Sequence, residues 1–254
     1  MVDIHAHILP GLDDGPRDWQ AALDMCQMAL SQEISTIVAT PHIMAEVFDN
    51  TAETILPRLE ELQKRLTNAG IDLTVLPGSE VHLDVRILEW LKNGRVLTLN
   101  RGRYLLLELP TAIFPPYLEQ FSARLLASGV VPVIAHAERN LSVQTDPNQL
   151  YPLVQRGVLA QITAQSLTGD FGRSALRCAE ILLQCRLCHV IATDAHSTTG
   201  RPPVIEAGVE KAQTLVGPLQ AYAMVTSIPG AIVRNEPVDV DPPERYLRRF
   251  GWFS

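Results

Sequence analysis

Short apolar runs that end on a histidine or a carboxylate recur along this chain, and nothing else in it constrains the fold so tightly. Residues 2–6, 35–39, 72–80, 103–108, 130–135, 158–163 and 189–193 are strand-length runs dominated by aliphatic side chains. The first run holds His5 and is followed by His7, and the second is followed by Pro41 and His42. The third ends on Glu80 and the fourth on Glu108; His136 follows the fifth, and Asp194 and His196 follow the seventh. Helical periodicity fills the gaps at 17–32, 52–68, 115–128, 147–156, 173–186 and 204–216, as in the spacing of Ile55, Leu59, Leu62 and Leu66. Strands alternating with helices imply parallel strands covered by helices. His5, His7, His42, His136 and His196 then lie at one end of the strands, where catalytic groups gather in a parallel barrel. That convergence favours a closed α/β barrel of seven units over an open sheet. The chain reads as one domain over residues 1–254, with 236–254 a surface tail packed back by Trp252 and Phe253.

Charge and composition narrow the partners. A net charge of −7 argues against nucleic acid or an anionic membrane as a bulk partner. No run approaches the ~20 apolar residues that span a bilayer, and no basic leader precedes Val2. The sequence therefore predicts a cytoplasmic protein with no membrane insertion. Cys185 and Cys188 form a lone C-x-x-C, whereas a structural zinc site would need a second pair, so they read with Cys26 and Cys178 as ordinary thiols. No cysteine has an arginine six residues later, which excludes the phosphate loop of thiol-dependent phosphatases.

In an extended first run the side chains alternate, so Val2, Ile4 and Ala6 face the helices while Asp3, His5 and His7 face the other way. Two imidazoles at i and i+2 can chelate one ion. Imidazole nitrogen and carboxylate oxygen suit zinc, manganese and iron. The donors at the strand ends are too many for one ion, and a carboxylate such as Glu80 can bridge, so two or three divalent metals are expected. Paired metals serve phosphate-ester hydrolysis. His189, at the opposite end of its run from Asp194, reads as structural, and His82 is left outside the set.

"DIHAHILPGLDDGP", "TPH", "GSEVH", "LLLELP", "VIAHAERN" and "VIATDAHSTTGRPP" occur in that order. Together they resemble the motifs of the PHP (polymerase and histidinol phosphatase) phosphoesterases. Within these the chain is similar to the manganese-dependent tyrosine-protein phosphatases of bacterial capsule and exopolysaccharide loci. The resemblance implies a distorted (β/α)7 barrel with a trinuclear centre. Carried over, His5, His7, Glu80 and Asp194 hold one ion, and Glu80, Glu108 and His136 a second. His42, His196 and an acidic residue of the first loop hold a third; that residue is assigned to Asp14, with Asp13 the alternative. Arg139 in "HAER" matches a phosphate-contacting arginine, and Arg201 in "GRPP" a basic residue at the rim. Two departures stand out: "IMAEVFD" after "TPH" carries no basic residue, and Thr163 stands where relatives often have asparagine.

The chemistry so implied is direct hydrolysis of a phosphomonoester. Arg139 offsets charge, Asp194 or His196 supplies a proton, and no covalent enzyme intermediate forms. The implied substrate is a phosphotyrosine protein, the tyrosine-rich tail of a bacterial autokinase; a homo-oligomer is left open. Three rivals remain: a small-molecule phosphatase such as one for histidinol phosphate, an amidohydrolase-type deacylase, and a non-catalytic metal-stabilised binding module. The deacylase reading wants a metal-bridging lysine, and no strand-like run here ends on one.

Overall fold

The computed structural model describes residues 1–247; Trp252 and Phe253, expected to anchor the tail, lie outside the described residues. The strands are β1 (Val2–Ala6), β2 (Thr36–Ala39), β3 (His42–Ile43), β4 (Thr74–Pro77), β5 (Glu80–His82), β6 (Tyr104–Glu108), β7 (Val131–Ile134), β8 (Leu159–Thr163) and β9 (Val190–Ala192). They form two sheets, ordered β1-β2-β4 and β3-β5-β6-β7-β8-β9, and every pairing is parallel. The helices are α1 (Trp19–Ser31), α2 (Ala52–Ala69), α3 (Ile87–Lys92), α4 (Leu118–Ala127), α5 (Leu141–Thr145), α6 (Tyr151–Val154), α7 (Ala164–Thr168), α8 (Gly172–Gln184), α9 (Glu206–Val216), α10 (Pro218–Ala223) and α11 (Ser227–Val233). The chain is therefore an α/β protein with parallel sheets, as the alternation of runs implies.

Two expected elements are broken. The run at 72–80 divides into β4 and the start of β5, because Gly78 crosses tightly over β2: a Cβ there would sit 2.6 Å from Val38 Cγ1. This crossing hands the chain from the first sheet, where β4 pairs with β2, to the second, where β5 pairs with β3. The helix expected over 147–156 is a 3-10 turn at Pro147–Gln149 followed by the single turn of α6, since Pro147 and Pro152 lack the amide that a continuous helix needs.

Strand faces divide the core. Ile37, Leu105, Leu107, Ile134, Ile162 and Ile191 pack with the helices' apolar faces, including Met25, Leu62 and Leu182. On the opposite face Ile4, Val38, Leu106, Val133, Leu159 and Val190 form a smaller cluster that includes Leu99 and Ile232. The strict alternation expected for β1 fails. Val2 and Ile4 belong with the smaller cluster and Ala6 with the helix-facing one. The cause is a register shift against β2 between Asp3 and Ala6, a bulge-like irregularity that turns the end of the strand over.

Backbone bonds tie this strand end to the far end of the chain. The Asp194 amide donates to His5 O and the His7 amide to Ala195 O, both at 2.8 Å, and Ala6 bridges Ala195 in parallel. The Thr193 amide also donates to Asp3 Oδ1 at 3.1 Å. The tail before residue 248 lies against the body. The Glu244 amide donates to Cys185 O at 2.8 Å, and Tyr246 and Asn148 exchange two hydrogen bonds at 2.9 and 3.0 Å. Among the described residues no helix is long and apolar enough to cross a membrane. All four cysteines are free, and burial pushes the Cys26 and Cys178 thiols up to about 12.

Candidate metal centre

The strand ends bring the expected donors together. His5, His7, Glu80 and Asp194 place one ligand atom each within 4.8 Å of one another, as do His42, Glu80 and Glu108, and His7, Asp14, His42 and His196. Glu80, His7 and His42 each belong to two of these overlapping groups. His136 joins through its Nε2, 2.8 Å from Glu80 Oε1 and 3.8 Å from Glu108 Oε1.

The donors face a common point rather than one another. Glu80 Oε2 lies 3.2 Å from His5 Nε2, 3.2 Å from His7 Nε2 and 3.0 Å from His42 Nδ1. Yet Glu80 Oε2, Asp194 Oδ1, His42 Nδ1 and His196 Nε2 are buried with no hydrogen-bond partner. The two imidazole nitrogens His5 Nε2 and His7 Nε2 stand 3.2 Å apart. Burying so many polar atoms unpaired is costly, and divalent cations satisfy such a set of N and O donors. The residues present therefore fit a metal cluster.

Outer partners fix the ring orientations. Asp13 Oδ2 accepts from His7 Nδ1 at 2.7 Å and from the His42 amide at 3.0 Å, and its Oδ1 accepts from Gly15 N at 3.0 Å. His5 Nδ1 donates to Gln161 Oε1 at 3.1 Å, and the same oxygen accepts from the His136 amide at 2.8 Å. His196 Nδ1 donates to Asp194 O at 2.9 Å. With Nδ1 so engaged, Nε2 of each ring is the atom turned to the centre, the arrangement common around metal-ligating histidines. The acidic first loop thus divides its labour. Asp13 is turned to the outer nitrogen of His7, while Asp14 Oδ1 faces His196 Nε2 at 3.2 Å and His42 Nε2 at 3.7 Å. Gly15 permits the fold-back: a Cβ there would meet His7 O at 2.7 Å. His136 and Asp194 both hold positive φ, 31° and 52°, a strained backbone that persists where surrounding structure imposes it.

The electrostatics follow from the crowding. Burial pulls His5 down and burial pulls His7 down, yet Glu80 and Asp194 beside the first and Asp13 beside the second outweigh it, and both imidazoles sit above the ordinary range. Burial pushes Glu80 and Asp194 up, but His5 and His136 around the one, and His5 and Arg139 around the other, hold both carboxyls well below theirs. The His196 imidazole facing Asp14 holds its carboxyl below the ordinary range as well. Arg139 Nη1 reaches Asp194 Oδ2 at 2.8 Å, and Arg201 Nη2 bonds the same oxygen. Glu138, the residue before Arg139, does not pair with it. Glu138 is fully buried, and its Oε1 accepts from the Thr163 amide at 3.0 Å and from Ser166.

Sequence reading missed Gln161, Glu138 and Phe48. Phe48 stacks on His42 with centroids 5.4 Å apart, an apolar contact inside the segment marked only for lacking basic residues. His82 stands at the margin, its Nδ1 3.2 Å from Glu108 Oε2, and His189 is buried at the other strand end, accepting from the Ala160 amide.

Known proteins share this arrangement of chain. Tyrosine-protein phosphatase YwqE of Bacillus subtilis is 36% identical over 255 residues, covering all of both chains. The putative tyrosine-protein phosphatase CapC of Staphylococcus aureus is 33% identical over 100% of this chain and 99% of its own. A solved chain from crystal structures of YwqE and of Streptococcus pneumoniae CpsB, metal-dependent tyrosine phosphatases, superposes with a TM-score of 0.94 at 35% identity, over 98% of this chain and 100% of that one. A β-aspartyl dipeptidase of Fervidobacterium islandicum, at a TM-score of 0.58 and 12% identity over 96% of this chain and 75% of its own, shares the fold alone. The model of the family described as "Capsular polysaccharide synthesis, CpsB/CapC" matches residues 1–234, and the chain belongs to that family.

Proposed function

We propose that this chain is a metal-dependent phosphomonoester hydrolase acting on phosphotyrosine in proteins. The observation that carries this reading is the set of overlapping donor groups through Glu80, His7 and His42 with the Arg139 and Arg201 guanidiniums fixed at its edge. Similarity to tyrosine phosphatases along the whole chain supports the substrate class. The ligands would be His5, His7, Asp14, His42, Glu80, Glu108, His136, Asp194 and His196, holding two to three divalent ions, manganese first, with zinc or iron able to use the same donors. Such ions supply Lewis acidity and lower the pKa of water. The fold is read as a distorted seven-stranded barrel of one domain, with β2/β3 and β4/β5 each one bent strand; the Ala6–Ala195 bridge supports closure.

The protein's own groups have distinct tasks. Arg139 and Arg201 converge on one oxygen of Asp194, which keeps their remaining N–H groups at the mouth for phosphoryl oxygens. Asp194, held ionised, orients both guanidiniums. The leaving phenolate has an ordinary pKa of about 10, so proton delivery by water suffices; His196, with Nδ1 on Asp194 O and Nε2 turned to the centre, is the weaker candidate for that task. No nucleophilic side chain is needed. On this reading the protein works in the cytoplasm on the tyrosine-rich tail of a bacterial autokinase, alone or as a homo-oligomer; the capsule-family match supports a place in polysaccharide synthesis.

The test is hydrolysis of a phosphotyrosyl peptide and p-nitrophenyl phosphate with manganese, with chelator, and by Arg139→Ala and His136→Ala. Manganese-dependent turnover lost on chelation and in both variants is expected. Chelator-resistant turnover overturns the metal mechanism, and turnover of small phosphates alone overturns the protein substrate.

A further inference from the structure

A recess of about 240 Å³ opens directly beside the metal centre, between the loop after β6 and the turn that follows α7. It shares Glu108, His136 and Arg139 with the centre, and its remaining wall includes Leu109, Ala135 and Phe171. The volume is below the roughly 300–1,000 Å³ of pockets that take a whole small-molecule ligand. It suits one planar group entering from the centre. Asn140 lines it too, but its amide is spent on the loop: Nδ2 donates to Pro110 O and Ile113 O, and Oδ1 accepts from Val143 N. The recess is thus charged at its mouth and apolar in its body.

Phe171 is held there for no visible packing reason. It belongs to neither hydrophobic cluster. A tight turn presents it, with the Gly172 amide donating to Gly169 O at 2.9 Å and both glycines at positive φ, 92° and 87°. Its ring instead lies 4.8 Å from the Arg139 guanidinium carbon, whose other side reaches Asp194. The ring therefore borders the Arg139 guanidinium and lines the recess.

We propose that this recess receives the phenol ring of the phosphotyrosyl side chain and that Phe171 is the residue favouring aryl over alkyl phosphomonoesters. The inference rests on the proposed phosphatase activity and assigns its leaving-group subsite. A phosphoryl group at Arg139 and the centre places the attached ring next to Phe171, where offset or edge-on aromatic contact is favourable. An alkyl phosphate leaves the apolar body of the recess unfilled.

The experiment compares wild type, Phe171→Ala and Phe171→Tyr, each manganese-loaded and with an unchanged melting temperature. Phenylphosphonate and methylphosphonate serve as competitive inhibitors, and phosphotyrosyl and phosphoseryl peptides of one sequence as substrates. The wild type is expected to bind phenylphosphonate about tenfold more tightly than methylphosphonate. Phe171→Ala should bring that ratio to within about twofold of unity, chiefly through the phenylphosphonate constant, and raise KM for the phosphotyrosyl peptide more than it lowers kcat. Phe171→Tyr should restore the ratio. Equal weakening of both phosphonates in Phe171→Ala would mean that Phe171 acts only by bracing Arg139, and overturns the subsite. An unchanged ratio overturns it as well, while leaving the activity standing; a wild type that hydrolyses neither peptide overturns both.

Discussion

Arg139 and Asp194 meet at 2.8 Å through Nη1 and Oδ2, while the other Asp194 oxygen lies 3.1 Å from His5 Nε2. One carboxylate thus faces the candidate metal-ligand histidine His5 with one oxygen and the Arg139 and Arg201 guanidiniums with the other. Replacing Arg139 by lysine keeps a charge but loses the planar fork that holds Asp194 and a phosphoryl oxygen together. Arg139→Lys should lower kcat/KM by about 10²–10³, the usual cost of losing a charge-stabilising donor, with bound manganese unchanged by elemental analysis. A variant within threefold of wild type would remove Arg139 from the reaction.

Asp13 is assigned to orient His7, not to bind metal. Asp13→Asn keeps one oxygen, which can serve either the His42 amide and His7 Nδ1 or the Gly15 amide but not both, and it loses the charge beside His7 Nδ1. Metal affinity should fall about 10–100-fold, the usual effect of losing an outer partner of a ligand, read by chelator competition. Asp14→Asn should abolish one equivalent of bound ion instead. Identical stoichiometry and affinity losses in the two variants would refute this division of the loop.

Metal loading should release protons. In the metal-free protein the carboxylates beside His5 and His7 raise both imidazoles above their ordinary value, so these rings hold their protons to higher pH than a free imidazole, and a metal must displace them. Affinity is therefore highest on the alkaline side and falls as pH drops through those raised values. Titrating manganese by calorimetry at pH 7 in two buffers of different ionisation enthalpy should give different apparent heats. Equal heats would contradict the assignment.

Stability should have an acid limb set far from the site. Burial holds His189 down to about 4, and its Nδ1, which accepts from the Ala160 amide at 3.1 Å, must give up that bond to take a proton. Its ordinary value is near 6.5, so the unfolded chain binds the proton first. The contribution is fully present above about pH 6.5 and is lost as pH falls toward 4. Between pH 7 and pH 5 the loss is on the order of 2 kcal/mol. His189→Asn keeps an acceptor for Ala160 without the titration and should flatten this limb in urea unfolding; a parallel acid limb in both proteins would rule it out.

How far the sequence revealed this site depends on what each residue type signals. A histidine or glutamate closing an aliphatic run is conspicuous, and His5, His42, Glu80, Glu108, His136, Asp194 and His196 do converge. Gln161 was invisible. It is one neutral polar residue inside β8, yet it orients His5 and holds the His136 amide. Glu138 gave no signal either, because its burial depends on a turn that brings Thr163 and Ser166 to it. The choice between Asp13 and Asp14 could not be made from spacing, since it turns on the direction of the Gly15 fold-back. Alternation misassigned Ile4 because a register shift leaves no mark in a period-two pattern.

The bond between Asp3 and Thr193 joins positions 190 apart in the chain. During synthesis on a ribosome, the two histidines of the opening segment emerge long before the aspartate and histidine that complete their set. Until then they form an incomplete chelate able to capture the wrong ion. Contacts of such separation slow folding, so the order in which metal and C-terminal third arrive becomes part of how an active molecule is made.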